Sequence, residues 1–243
     1  KLILATEYGE SFSPIMFDKD NKSIYAATNV GRDTAAIVKL DLESGKQEVI
    51  YERNDVDVSN LLVNPKTREV LGVVYVTDKV RWEYFSKKLE DIMNKVSAKF
   101  DKDEQIGIND LSEDMNKLII SVGNDRDPGA YYFYDFSTDK LNKLGDVLPS
   151  IDAEKMAKML PISYKSRDGL VIHGYLTLPA NKIPENLPVI VNPHGGPWAR
   201  DIWGYNQEIQ FLANRGYAVL QVNFRGSTGY GKKFVDAGNK QWG

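Results

Sequence analysis

Cysteine is missing from this chain of 243 residues, and histidine occurs only twice, at His173 and His194. Without cysteine there can be no disulfide bond, no thiolate zinc site and no cysteine nucleophile. The two histidines lie 21 residues apart, which is not the spacing of a histidine pair that binds a metal on one helix. We therefore expect no metal site. The missing cysteine does not decide between a cytoplasmic and a periplasmic location.

A charge excess and a long apolar run are also missing. Lys and Arg total 31 against 34 Asp and Glu, so the net charge is −3. No basic excess is available to hold nucleic acid or an anionic membrane surface. No apolar run approaches the ~20 residues that span a bilayer. With 42% hydrophobic residues, the composition is typical of a soluble globular protein, and it leaves the oligomeric state open, a homo-oligomer included.

A repeat occupies the first part of the chain. Asp20, Arg32-Asp33, Asp41 and Lys46 recur 94 positions later as Asp114, Arg126-Asp127, Asp135 and Lys140. This offset is twice 47, and one four-stranded propeller blade takes about 40–50 residues. Short apolar runs separated by polar turns are typical of strands. We predict about three β-propeller blades over residues 1–148, an incomplete set because about 4–8 blades normally close a ring.

The middle copy of the repeat is interrupted between Tyr84 and Phe100. Apolar residues recur there at helical spacing, namely Leu89, Ile92, Met93 and Val96. The pattern predicts an amphipathic helix that packs on a propeller face. An insertion that shapes the entrance to an internal cavity is the alternative.

A second type of organisation begins after Leu148. Residues 149–161 contain Pro149, a helical charge pattern over 152–159, and Pro161, which favour a connection between domains. The segment from Ile162 to Pro179, with a turn at Arg167-Asp168-Gly169, predicts a β-hairpin. A hairpin before the first parallel strands matches the start of an α/β-hydrolase sheet, so we assign residues 162–243 to such a domain.

Two strand-to-loop motifs follow. The apolar run Val189–Val191 leads into His194-Gly195-Gly196-Pro197, and the run from Tyr217 to Val222 leads into Asn223–Gly231, with a predicted helix over 205–215 between them. In α/β-hydrolases a His-Gly-Gly turn after a strand presents backbone N–H groups to an oxyanion. A purely structural turn is the alternative. The sequence reaches Gly243 without a Gly-x-Ser-x-Gly nucleophile motif, so we expect the Ser, Asp and His of a catalytic triad to lie outside these residues.

These motifs resemble the start of the catalytic domain of the prolyl oligopeptidase family of serine peptidases, in its acylaminoacyl-peptidase and dipeptidyl-peptidase-like branch. The resemblance rests on His194–Trp198, Phe211–Tyr217 and Asn223–Gly231 in this order. It implies hydrolysis of short peptides through an acyl-enzyme, without a cofactor or metal. It also implies that the Gly196 N–H is one oxyanion-hole donor. His194 precedes the place of the nucleophile, so it is not the triad base, and we expect it to shape the turn.

Three further assignments concern single residues. Trp198 is a candidate wall of the substrate pocket, with a packed loop aromatic as the alternative. Arg225 is a candidate for binding the substrate, although anchoring of its loop is favoured. The sequence Gly226–Lys233 is close to a phosphate loop, but Lys233 stands where a hydroxyl is needed for Mg²⁺, so we do not expect nucleotide binding.

Two other functions stay open at this point. The first is a propeller-capped α/β-hydrolase that acts as an esterase. The second is a non-catalytic propeller that binds a partner. A Gly-x-Ser-x-Gly motif in the sequence that follows would distinguish an enzyme from a binding module.

Overall fold

The computed structural model describes residues 4–180 and 182–241, which form two compact units. The first unit comprises the residues up to Lys87, Gly195–Arg200 and the residues from Arg225 onward. The second comprises Lys88–His194 and Asp201–Phe224. These groupings do not follow the predicted boundaries at residues 148 and 161, and the division into three segments stays a prediction.

The first unit contains two antiparallel sheets. One has the strand order β1-β2-β3-β4, and the other has the order β5-β6-β7. Their bounds are β1 Phe12–Phe17, β2 Ser23–Thr28, β3 Ala36–Asp41, β4 Gln47–Tyr51, β5 Val58–Val63, β6 Val70–Val76 and β7 Val80–Tyr84. Buried Ala27, Ile37, Val58 and Val73 join the two sheets in one apolar core. The short helix α3 (Lys232–Asp236) belongs to the same unit.

A third antiparallel sheet lies in the second unit, with the order β11-β10-β9-β8. Its strands are β8 Gln105–Leu111, β9 Lys117–Gly123, β10 Ala130–Asp135 and β11 Lys140–Asp146. The helix α1 (Lys87–Ser97) precedes it and buries Leu89, Ile92, Met93 and Val96, so the predicted amphipathic helix is confirmed. Lys88 and Lys99 at its two ends bond to the turns of this sheet at Asp114 and Asp139.

The sequence repeat has a structural counterpart. Strands β3 and β10 begin 94 residues apart, at Ala36 and Ala130. The carboxylate of Asp41 accepts the N–H groups two and three residues further along, and Asp135 does the same in the equivalent turn. Aspartate is favoured in both turns because its short side chain satisfies amides that the hairpin leaves unpaired. The recurring pair Asp41 and Asp135 therefore stabilises the same turn in both copies.

One predicted helix is absent from the described residues. The charge pattern over 152–159 forms only a single 3₁₀ turn, Ala153–Lys155, which Asp152 caps. The backbone becomes extended at Met156 (φ −89°, ψ 150°). The helical interpretation of this segment is wrong because distant side chains bind its main chain: Gln210 accepts the N–H of Ala157, and Asp125 accepts the N–H of Met159.

A fourth sheet mixes antiparallel and parallel strands, in the order β12-β13-β15-β14. Its strands are β12 Met159–Lys165, β13 Val171–Thr177, β14 Val189–Val191 and β15 Ala218–Asn223. Strands β12 and β13 form the predicted hairpin, and the helix α2 (Gln207–Asn214) lies between β14 and β15 in sequence, as predicted. The side chain of Asn206 begins α2 by accepting two backbone amides. Within the described ranges, no helix is long and apolar enough to cross a membrane.

Candidate active site

The two glycine-containing motifs leave the fourth sheet at the same edge. Strands β14 and β15 pair in parallel, with Val191 opposite Leu220. Parallel strands end at one edge of a sheet, and ligands of open α/β sheets bind outside these carboxyl ends. The segments after Val191 and after Asn223 therefore begin next to each other, where the sequence predicted a catalytic loop.

Gly196 has a conformation that only glycine adopts without strain. It lies beyond the end of β14, it is exposed, and its φ is +136°. A Cβ at this position would lie 2.7 Å from the backbone nitrogen of Trp198. Among the described residues none accepts the Gly196 amide proton. The amide is thus outside any strand ladder, which is what an oxyanion donor requires.

His194 packs against an aromatic residue of the second motif. Its ring stacks on the ring of Phe224, with centroids 4.5 Å apart and planes tilted by 17°. Phe224 is the first residue after β15. The histidine therefore supports the start of the loop formed by residues His194–Asp201, in line with the turn-shaping role expected from the sequence.

Asn223, the last residue of β15, binds the other end of the loop. Its Oδ1 accepts the main-chain N–H of Asp201 at 2.7 Å, and its Nδ2 donates to the Asp201 carbonyl at 3.0 Å. The residue is fully buried. A buried side chain that satisfies both main-chain groups of one residue fixes the position of that residue.

The Asp201 side chain continues this network into the sheet. Its Oδ1 accepts a hydrogen bond from Nε2 of Gln221 at 2.8 Å. Burial raises the pKa of the Asp201 carboxyl, although the bond from Gln221 and the charge of His194 oppose this effect. Three buried oxygens on this face have no protein partner among the described residues: Asp201 Oδ2, Gln221 Oε1 and Thr177 Oγ1. Such atoms are sites for ordered water when there is room for it.

Arg200 binds main-chain carbonyls and an aromatic residue. Its guanidinium donates to the carbonyls of Val76 and Thr77 at 3.4 and 3.2 Å, and to the Tyr230 hydroxyl at 2.8 Å. It also stacks on the Tyr230 ring at 4.2 Å. Together with Asp57 and Tyr75, Arg200 lines a cavity of about 460 Å³ within the first unit. The arginine therefore connects the residues after Gly196 to the end of β6.

Two carboxylates from the first unit bind the segment that resembles a phosphate loop. Asp33 accepts the N–H of Lys233 at 2.7 Å, and Asp57 accepts the N–H of Ala35 at 2.7 Å while its own N–H donates to the Gly229 carbonyl. Burial raises the pKa of Asp57, and the backbone N–H groups of Ala35, Gly231 and Gly229 oppose this shift. The segment faces negative side chains, which argues against a phosphate at this place.

The other predicted positions differ in exposure. Trp198 is 61% exposed next to Gly196. Arg225 is half-buried, and His173 is exposed on β13. Sequence reasoning assigned no role to Asn223, Arg200, Asp33 or Asp57. Asn223 and Arg200 stand within or beside the recognised motifs, but no local pattern indicates their distant partners.

The comparisons with known proteins agree on one family. The model of the prolyl oligopeptidase family matches residues 203–243. Dipeptidyl aminopeptidase BIII of Pseudoxanthomonas mexicana is 36% identical over 95% of this chain, which corresponds to 34% of that protein. Dipeptidyl peptidase family member 6 of Caenorhabditis elegans is 30% identical over 95% of the chain and 34% of its own length. The chain thus spans about a third of the length of these relatives.

Solved structures show the same fold at lower identity. A puromycin-hydrolyzing peptidase of Mycobacterium tuberculosis superposes on 93% of this chain and 35% of its own, with a TM-score of 0.67 at 18% identity. Pyrococcus horikoshii acylaminoacyl peptidase covers 93% of the chain and 34% of its own, with a TM-score of 0.56 at 22% identity. The chain is related to the prolyl oligopeptidase family, which confirms the resemblance drawn from its motifs. Its sheet-rich fold matches structures of that family.

Proposed function

We propose that this chain is part of a serine peptidase that hydrolyses short peptides through an acyl-enzyme. In this proposal residues 1–148 form about three propeller blades, 149–161 connect them to the catalytic domain, and 162–243 begin an α/β-hydrolase domain. The observation that carries the proposal is Gly196, an exposed glycine with an unpaired amide at the carboxyl end of a parallel strand. The names of the relatives, dipeptidyl aminopeptidase and dipeptidyl peptidase, support a peptide substrate.

The chemistry assigned to Gly196 is stabilisation of negative charge. When a serine attacks a peptide carbonyl, charge develops on the carbonyl oxygen, and preorganised N–H donors lower the free energy of that state. The Gly196 amide is one such donor. The residue after the nucleophile supplies the second donor in this fold, and the Ser, Asp and His of the triad come from sequence outside these 243 residues.

In this proposal Trp198 and Arg225 contact the substrate. Trp198 is two residues after Gly196, and an exposed aromatic ring at this place suits contact with a substrate side chain. Arg225 follows Phe224, whose ring supports His194 at the same sheet edge. A guanidinium there suits a peptide carbonyl or carboxylate.

The test uses the full-length protein that carries this chain. Gly196→Ala introduces a Cβ at 2.7 Å from the Trp198 nitrogen and strains a φ of +136°, so the amide must move. We expect kcat for peptide hydrolysis to fall by about 10²-fold, the usual effect of losing one oxyanion donor. Gly169→Ala is the matched control, because Gly169 has a φ of +86° and open space around its Cα. Equal kcat values for the two variants would contradict the oxyanion assignment.

A substrate panel separates the peptidase from the esterase. Dipeptidyl, N-acylaminoacyl and longer peptidyl p-nitroanilides are compared with p-nitrophenyl esters at equal concentrations. Turnover of the amides, with inhibition by a fluorophosphonate, supports a serine peptidase. Turnover of esters alone would replace the proposal by an esterase, and no turnover with no labelling would favour a binding protein.

A further inference from the structure

We propose that Asn223 and Phe224 are positioning residues that fix the two ends of the loop His194–Asp201, and thereby the Gly196 amide. The inference rests on the proposed function, because it assigns a role in catalysis to residues that act through Gly196. The two residues are consecutive, and they stand where β15 ends. Together they hold a loop of eight residues at its first and last positions.

The contact of Asn223 with Asp201, at the last position of the loop, is the more specific of the two. Asn223 satisfies both the N–H and the carbonyl of Asp201, at 2.7 and 3.0 Å. An Asn side chain offers an acceptor oxygen and a donor nitrogen side by side, which matches the N–H and carbonyl of one residue. Because Asn223 is fully buried, water cannot replace a lost bond without reorganisation of the site.

The contact at the first position of the loop is a stacking of two rings. His194 and Phe224 stack at 4.5 Å with nearly parallel planes. Stacked rings of this type favour one relative orientation of the two side chains. It sets the direction in which the chain enters the Gly195-Gly196 turn.

The interior of the loop is held by the residues that follow Phe224. The N–H of Thr228 donates to the carbonyl of Ala199 at 3.0 Å. Ala199 in turn bonds through its own N–H to the carbonyl of Pro197, at 2.9 Å. Residues 223–228 therefore contact the loop at His194, at Ala199 and at Asp201, on both sides of Gly196. A displacement of Asn223 or Phe224 should thus shift the main chain that carries the glycine amide.

The test compares four variants of the full-length protein. Asn223→Asp keeps the size and the acceptor oxygen but loses the donor to the Asp201 carbonyl. Phe224→Leu removes the ring, and Phe224→Tyr restores it. Asn206→Ala is the control, since this asparagine also binds two main-chain amides but at the start of α2. Each variant is characterised by kcat, KM, thermal unfolding, and hydrogen exchange of the peptide covering residues 194–201.

We expect Asn223→Asp and Phe224→Leu to lower kcat by about 10–100-fold with KM unchanged, because misplacement by about 1 Å costs up to 10²-fold. Exchange in residues 194–201 should accelerate in both, and Phe224→Tyr should recover both values. Asn206→Ala should change neither. Unchanged loop exchange in Asn223→Asp and Phe224→Leu would overturn the positioning role. Faster exchange with an unchanged kcat would instead overturn the oxyanion role of Gly196, and so distinguishes the two failures.

Discussion

Gln210 on α2 makes three buried hydrogen bonds that hold the segment before β12. Its Oε1 accepts the N–H of Ala157, and its Nε2 donates to the carbonyls of Ala157 and Asp125, all at 2.8 Å. Gln210 and Ala157 are both buried. Gln210→Met keeps the length of the side chain and leaves these three main-chain groups without partners. At about 1–2 kcal/mol for each buried group, the free energy of unfolding should fall by about 4 kcal/mol.

The measurement is equilibrium unfolding in urea, together with hydrogen exchange of the Ala157 amide. Gln207→Met is the matched control, because Gln207 is the same residue type on the same helix but is exposed. Surface substitutions usually change stability by less than about 0.5 kcal/mol. A Gln210→Met protein within about 1 kcal/mol of the control, with the Ala157 amide still protected, would refute the assignment of these bonds as stabilising.

Two further predictions concern pH and activity. Burial raises the pKa of Asp57 above its value in the unfolded chain. The folded state therefore favours the protonated carboxyl more than the unfolded state does. The stability that this contributes is complete below the unfolded pKa of about 4 and is lost as the pH rises through the folded pKa. Relative to Asp57→Asn, the parent should lose stability over that window in urea unfolding; a pH-independent difference would contradict the shift. An isolated polypeptide of these 243 residues should hydrolyse no peptidyl p-nitroanilide and bind no fluorophosphonate, because it contains no Gly-x-Ser-x-Gly. Stoichiometric, inhibitor-sensitive labelling would show that the nucleophile had been misplaced.

The parts of the fold that follow local patterns could be predicted from the sequence. The spacing of Leu89, Ile92, Met93 and Val96 depends only on helix geometry, and it predicted α1. The recurrence of Asp41 at Asp135 reflects a turn that each aspartate stabilises within three residues. Such features are determined by neighbours in sequence, so they are visible without a structure.

The predicted helix over 152–159 failed for the opposite reason. Its charge pattern is compatible with a helix, but the main chain at Ala157 and Met159 binds Gln210 and Asp125 instead. The contacts of the candidate site likewise join residues that are far apart in the sequence. Asp33 and Lys233 are 200 positions apart, and the interaction of Asn223 with Asp201 depends on the path of a loop. Motif spacing located the glycine turn but could not identify the residues that hold it.

The bonds from Asp33 and Asp57 to the segment around Gly229–Lys233 have a consequence for biosynthesis. The ribosome delivers the strands β1–β5 long before this segment emerges, and early parts of a chain generally fold first. A surface that carries both carboxylates can therefore exist before its partner has been made. The loop after β15 would then acquire its shape on an already folded template, and a mutation that delays the early sheets should impair the maturation of residues Gly229–Lys233.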